Sequence, residues 1–305
     1  MPGTQPRRFK TISDFHKFRE LPKPEHPLIS VIDLAQVNLL PEGETSIVLD
    51  FYSIALKRNF NAKIRYGQQE YDFDEGIMFF ISPGQVFRIE VEPGATLDQS
   101  GWMLLVHPDF LWNTALAKTL KQYAYFDYSA NEALFLSDKE ETTIAGIMQN
   151  IDQEYRSNID KFSQDVIVAQ LELLLIYAER FYNRQFITRK ITNHQMLSRL
   201  EDLLAAYFNG DALAAKGLPT VQYIADELNV SPNYLSALLK VLTGQSTQQH
   251  IHNKLIEKAK EQLSTTALSV SEIAYALGFG HSQSFSKLFK SKTSLSPLEF
   301  RQSFN

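Results

Sequence analysis

The chain has 305 residues, length enough for two domains, and its 44% apolar and 21% charged residues are ordinary for a globular protein. It contains no cysteine, which excludes a disulfide framework, a thiol nucleophile and any cysteine-ligated zinc site. The net charge of −5 opposes a general attraction to nucleic acid, but it is uneven: from Lys190 onward 11 basic residues face 9 acidic ones, and from Lys240 onward 8 face 4.

The opening "MPGTQPRRFK" has basic residues with no apolar stretch behind them, so no signal peptide is expected. The most apolar run, "LELLLIYAERF", is short and charged for a membrane span, so a cytoplasmic protein without a membrane partner is expected. "ISDFHKF" (12–18) fits a short leading helix. Four aromatic and β-branched runs then read as strands: "SIVLDFYSIAL" (46–56), "GIMFFIS" (76–82), "VFRIEV" (86–91) and "GWMLLV" (101–106). Turn signals at Pro41-Glu42-Gly43, Pro83-Gly84 and Pro93-Gly94 separate them, predicting a compact antiparallel barrel or sandwich.

Helices follow. Ser137 with Glu140 forms a capping-box pattern ahead of a helix that carries Ile144, Ile147, Met148, Ile151 and Tyr155 on one side. The next helix, from about Phe162 to Tyr182, has a seam of Ile167, Leu171, Leu174, Ala178 and Phe181, widened by Leu173, Leu175 and Ile176. An apolar surface this wide needs two partners, either within its own domain or in a second copy of the chain. "NRQFITRKITNHQ" (183–195) is polar and reads as a linker. Beyond it Leu197, Leu200, Leu204 and Phe208 mark an amphipathic helix ended by Asn209-Gly210-Asp211.

The rest of the chain repeats itself. Val221, Ile224, Ala225 and Leu228 recur 49 residues later as Val270, Ile273, Ala274 and Leu277. After one inserted residue, Leu235, Ser236, Leu238, Leu239, Lys240 and Thr243 match Phe285, Ser286, Leu288, Phe289, Lys290 and Thr293. Asn229 and Gly278, the residue types that best tolerate a left-handed backbone, stand at equivalent turns. The unit is helix, tight turn, helix, present twice, with "HNKLIEKAKEQL" (252–263) as a linking helix. Two such readers must lie about 34 Å apart to enter successive major grooves of one duplex.

These stretches, "IADELNVSPNYLS", "IHNKLIEKAKEQL", "SVSEIAYALGFG", "FSKLFK" and "SLSPLEFR", resemble the DNA-binding domain of the AraC/XylS family of bacterial transcription regulators. The N-terminal part resembles that family's cupin-like sensor domain more loosely, through "FFISPGQVF" (79–87). Departures are visible: Ser294 stands where the family usually has glycine, and His281 where its second reader helix often has an acidic cap.

The resemblance implies an α+β protein: a cupin-like antiparallel β-barrel (1–130), a helical dimerisation segment (131–188), and an all-α double helix-turn-helix domain of seven helices (189–305). It implies a sequence-specific regulator, an activator under a small-molecule effector, acting as a homodimer on promoter DNA and recruiting RNA polymerase. On the first reader helix Asn233, Ser236, Ala237 and Lys240 share the outward face; on the second Ser282, Gln283, Ser286, Lys287 and Lys290 do so. Asn and Gln bond adenine edges, Lys approaches guanine acceptors and Ala meets a thymine methyl, while Lys240 and Lys290 suit phosphates. Tyr52, Phe80, Arg88 and Trp102 are candidates for the effector pocket, Arg88 for an anionic effector or equally for the surface.

Histidines are too scattered for a metal site: only His107 lies near a strand end, and His250-Ile251-His252 sits on the linking helix. No cofactor or catalytic residue is expected. Three readings compete with effector control: a regulator governed by its abundance, a metal-independent cupin enzyme with an appended DNA-binding module, and a helical protein-interaction module.

Overall fold

The computed structural model describes residues 6–37, 43–58, 76–91, 100–128, 132–157, 160–188, 190–210 and 212–303. Two units divide the chain, Met1–Gln185 and Phe186–Asn305.

The first unit is built on two sheets and helices. Its elements are β1 (Arg7–Phe9), α1 (Ile12–Phe18), β2 (Ile29–Asp33), β3 (Gly43–Leu49), β4 (Tyr52–Arg58), β5 (Gly76–Ile81), β6 (Val86–Val91), β7 (Ser100–Val106), α2 (Leu116–Thr119), β8 (Leu134–Leu136), α3 (Asp138–Tyr155) and α4 (Ser163–Thr188). One sheet has the order β1-β3-β6, the other β2-β7-β4-β5-β8. Among the described residues the pairings are antiparallel except β1 with β3, which run parallel.

The single strand expected over 46–56 is two strands in different sheets. The chain breaks at Asp50-Phe51, where Asp50 N–H donates to Phe9 O at 3.0 Å and its carboxylate accepts from Arg8 Nε at 2.8 Å. Phe51 is fully buried, so the apolar run is continuous although the strand is not. The short strands β1, β2 and β8 were not foreseen; each offers too few residues for alternation to register.

Alternation along β4 sorts the five-stranded sheet into two faces. Ser53, Ala55 and Lys57 share the side on which Ile32 (β2), Met103 and Leu105 (β7) meet Phe9, Ile12, Phe15, Ile47 and Leu49 from β1, α1 and β3. We call this the inner face. Tyr52, Ile54 and Leu56 point to the other side, toward α3 and α4; there Arg58 pairs with Glu141 of α3. The capping box opens α3 as expected, with Ser137 N–H donating to Glu140 Oε2 at 2.9 Å.

The expected linker over 183–195 is helical on both sides of residue 189: α4 continues to Thr188 and α5 (Lys190–Asn209) follows. Its polarity serves a strand edge instead of solvent. Gln185, buried, accepts from Phe135 N at 2.8 Å and donates to Ala133 O at 3.1 Å, while Arg184 donates to Phe135 O at 2.7 Å and to Glu140 at 2.6 Å.

The second unit is all-α. After α5 come α6 (Ala212–Lys216), α7 (Val221–Leu228), α8 (Pro232–Thr243), α9 (Thr247–Thr265), α10 (Val270–Ala276), α11 (Ser282–Thr293) and α12 (Pro297–Gln302). With the five-residue α6 this makes eight helices among the described residues where seven were expected. The linking helix α9 begins five residues before the expected His252, because Ser246 and Gln249 form a capping box ahead of it. One apolar cluster takes Leu200, Leu204 and Phe208 from α5 together with both copies of the repeat, including Ala225 and Ala274, each fully buried.

Candidate nucleic-acid interface

Each half of the repeat folds as helix, left-handed turn, helix. α7 ends at Asn229 with φ 57°, and Val230 N–H donates back to Ala225 O at 3.0 Å. In the second copy Gly278 has φ 81°, and Phe279 N–H donates to Ala274 O at 3.0 Å. The glycine is required twice over: a Cβ there would lie 2.7 Å from Gly217 Cα, besides the cost of positive φ. The reader helices also end alike, α8 at Gly244 (φ 74°) and α11 at Ser294 (φ 65°).

Starts differ. Ser231 caps α8 by accepting from Tyr234 N at 3.2 Å, with Pro232 in the first turn. α11 starts at His281, whose side chain makes no capping bond. The first turn of α11 is therefore held by backbone alone, with Ser284 N–H donating to His281 O at 3.1 Å.

The exposed residues of α11 are Gln283, Ser284, Lys287, Lys290, Ser291 and Lys292; Ser282 and Ser286 are half-buried. Gln283, Lys287 and Lys290 thus form an accessible stripe with helical spacing of four and three. On α8 the accessible members are Asn233 and Lys240, seven residues apart, whereas Ser236 and Ala237 are half-buried. The Ser236 hydroxyl bonds Thr247 Oγ1 at 3.0 Å, and Thr247 is fully buried at the first turn of α9. Ser236 thus fastens the reader to the linking helix. The sequence reading left Ser284 and Ser291 out of the candidate face, although their spacing from Lys287 (three and four) placed them there.

His250 and His252 serve packing: His250 Nε2 meets Thr243 Oγ1 and His252 Nε2 meets Gln248 Nε2, both at 2.9 Å. Burial lowers the pKa of both, helped at His252 by Lys292 and opposed at His250 by Glu201. Among the described residues no group of three or more His, Asp or Glu is placed to hold a metal ion, and no helix is long and apolar enough to cross a membrane.

The effector candidates lie in the first unit. Phe80 is buried against Tyr125 (4.6 Å), Phe126 (5.5 Å) and Tyr182 (6.3 Å), and Tyr52 packs on Phe126 at 5.3 Å. Trp102, half-buried, stands in register with Leu56 and Asp33, hence on the same face as Tyr52. Arg88 pairs through its backbone with Ser46 on the other sheet, and its side chain lies outside the described residues. Tyr52, Phe80 and Trp102 therefore share one face of the five-stranded sheet, and Tyr52 and Phe80 belong to an aromatic cluster between sheet and helices.

A family model described as "Helix-turn-helix domain" matches residues 224–303. The chain is 24% identical to the HTH-type transcriptional activator RhaS of Shigella dysenteriae serotype 1, over 88% of this chain and 96% of that protein. It is 31% identical to the RhaS of Escherichia coli (strain K12 / DH10B) over 46% of each chain. Among solved structures, the C-terminal domain of AraT, a response regulator from Geobacillus stearothermophilus, is similar at 30% identity over 35% of this chain and 84% of that one, with a TM-score of 0.31. These relatives are transcription regulators and not enzymes. Residues 224–303 thus carry the helix-turn-helix domain, and the comparisons support an AraC/XylS-type helix-turn-helix transcription regulator.

Proposed function

We propose that the protein activates transcription by binding promoter DNA through α8 and α11, under the control of a small-molecule effector taken up by the first unit. The observation that carries this reading is the duplicated helix-turn-helix, each copy with a polar face left exposed on its second helix. Within the proposal Gln283 and Asn233 read base edges, Lys287 approaches guanine, and Lys240 and Lys290 hold phosphates. Ser282, Ser286 and Ala237 border the contact, and Ser236 positions the reader. The two sheets form the family's cupin-like barrel, and contact with RNA polymerase completes activation.

A second copy of the chain is the proposed partner for α4. Val166, Ala169, Leu173, Ile176, Arg180 and Asn183 are all exposed and follow one another in steps of three and four, the spacing of a two-stranded coiled-coil seam. The seam foreseen through Ile167, Leu171, Leu174 and Ala178 is the buried side of the same helix. The effector contacts expected at Tyr52, Phe80, Arg88 and Trp102 enter the proposal with one restriction: Phe80 already packs against Tyr182 of α4, and Tyr52 against Phe126.

The test is selection of bound genomic fragments by the full chain and by a Gln283→Ala/Lys287→Ala variant. A common site enriched by the wild type alone supports the reading. Salt titration on that site then separates the readers: Lys287→Ala and Lys290→Ala each lower the slope of log K against log[salt] by about 0.9, and Lys240→Ala by less. Enrichment of the same site by the variant would remove α11 from base reading.

A further inference from the structure

Both readers are fastened to α9, one at each end. Ser236 and Thr243 of α8 bond Thr247 and His250 at the start of α9, at 3.0 and 2.9 Å. At the far end Arg301 Nε of α12 donates to Leu263 O at 3.1 Å, and Phe300 of the same helix packs on Phe289 of α11 at 5.4 Å. α9 has 19 residues, so about 28 Å separates its two ends. Attachments along a single helix fix that separation, but the angle between the readers then depends on how α9 bends and twists.

A further contact joins the two copies directly, through atoms outside α9. The loop that leads into α7 passes Gly217 (φ 75°), and the turn between α10 and α11 passes Gly278 (φ 81°). The two backbones touch there: a Cβ on Gly278 would lie 2.7 Å from Gly217 Cα, 3.0 Å from its carbonyl carbon and 3.1 Å from Leu218 N. Gly217 is itself held on both sides. Its N–H donates to Leu213 O at 3.0 Å, and its carbonyl accepts from the Tyr207 hydroxyl at 2.9 Å. The buried Tyr207 ring packs edge-on against Tyr223 of α7 at 5.3 Å. Tyr207 therefore ties the first helix of one copy to the loop that abuts the turn of the other. Gly244 at the end of α8 shows the contrast: its φ of 74° is similar, yet a Cβ there would meet nothing within 4 Å among the described residues.

We infer that Gly217, Gly278 and Tyr207 are positioning residues for DNA specificity: they brace the two reader helices at one relative angle, so that the protein accepts one spacing and phase of its two half-sites. This role rests on the proposed binding of one duplex by α8 and α11. One added base pair moves the second half-site by about 3.4 Å and turns it by about 34° around the DNA axis. Readers joined only through a bending helix could follow that shift. Readers braced by a second contact must release the base edges on one side or break the brace. Neither Gly217 nor Tyr207 belongs to the repeat, so aligning its two copies did not single them out.

The test measures fluorescence anisotropy of the full chain on the selected DNA site and on versions with one base pair inserted or removed between the two protected segments. Circular dichroism checks that each variant is folded. The wild type is expected to lose at least about tenfold in affinity on either altered site. Tyr207→Phe keeps the ring and loses only the hydroxyl bond, so this discrimination falls by about threefold, the worth of one hydrogen bond that a displaced reader would otherwise break. Gly278→Ala forces the backbones apart and relaxes the discrimination further or moves the preferred spacing. Gly244→Ala carries the same positive-φ cost without touching the contact and keeps the wild-type discrimination, which separates positioning from lost stability. A wild type indifferent to spacing, or equal discrimination in the wild type, Tyr207→Phe and Gly278→Ala, overturns the inference. An equal fall in Gly244→Ala overturns it as well. Failure of the wild type to bind any selected site removes the DNA reading instead, and the inference with it.

Discussion

Ser294 and Gly278 show how backbone conformation constrains single positions in the two readers. Ser294 holds φ 65° at the end of α11, where its counterpart on α8 is Gly244. Relief of that strain gives about 1–2 kcal/mol, and the freer unfolded chain takes back about 0.4–1 kcal/mol. Ser294→Gly is therefore expected to raise the Tm by about 2–4 °C in a thermal melt. Gly278→Ala goes the other way, because the obstructing atoms are Gly217 backbone that cannot rotate aside; a loss of at least about 2 kcal/mol in urea unfolding is expected. His16 adds a pH dependence. Desolvation lowers its folded pKa against the Pro22 bond that raises it, so below pH 6.5 the unfolded chain binds the proton first. Stability is full above that pH and falls as the pH drops through 6.5. His16→Gln should flatten the Tm difference between pH 7.5 and pH 5.5; an unchanged difference would place the acid sensitivity elsewhere.

At the scale of elements, the N-terminus of α11 balances stability against binding. α9, α10 and α12 each start with a serine paired with Gln249, Glu272 or Glu299 in a reciprocal capping box. α11 alone among these starts at a residue with no capping bond, and it is the helix with the lysine-bearing exposed stripe. His281→Asp supplies the missing acceptor and should stabilise the unit by about 1 kcal/mol. In the proposed complex the same carboxylate faces the phosphates, so DNA affinity should fall by about tenfold at low salt and by less at high salt. Fluorescence anisotropy beside a melt measures both. A stabilised variant that binds DNA as well as the wild type would place the start of α11 away from the duplex.

For the whole molecule the decisive element is α4, whose two sides carry different apolar seams. Leu171, Leu174, Leu175 and Ala178 are buried within the chain, while Leu173 is 42% and Ile176 52% exposed. Charges introduced at these exposed positions remain accessible to water. Under the proposed α4 pairing, Leu173→Glu/Ile176→Glu is expected to convert the dimer to a monomer in light scattering, with circular dichroism unchanged. A dimer that persists would assign association to another surface.

The second unit was legible in the sequence because its determinants are local and occur twice. Ile224, Ala225 and Leu228 recur as Ile273, Ala274 and Leu277, and Asn229 and Gly278 mark the turns, so periodicity and turn chemistry carried the fold. The exposed stripe on α11 followed from the same spacing. What the tertiary structure decided is what depends on partners distant in the chain. Ser236 faces outward by periodicity, yet Thr247 takes its hydroxyl; the polar 183–188 stretch reads as linker, yet Gln185 and Arg184 serve the edge of β8. In the first unit alternation divides residues between two faces but cannot say which of them meets α3 and α4. Tyr52 and Phe80 fell on the side covered by those helices, and Lys57 on the inner side with Phe79. Sequence by itself determined the helical periods, the turns and the duplicated readers, because each arises from interactions a few residues apart. Sheet order and the bonds of Ser236, Arg184 and Gln185 were decided only by folding, because they come from long-range packing that no local pattern encodes.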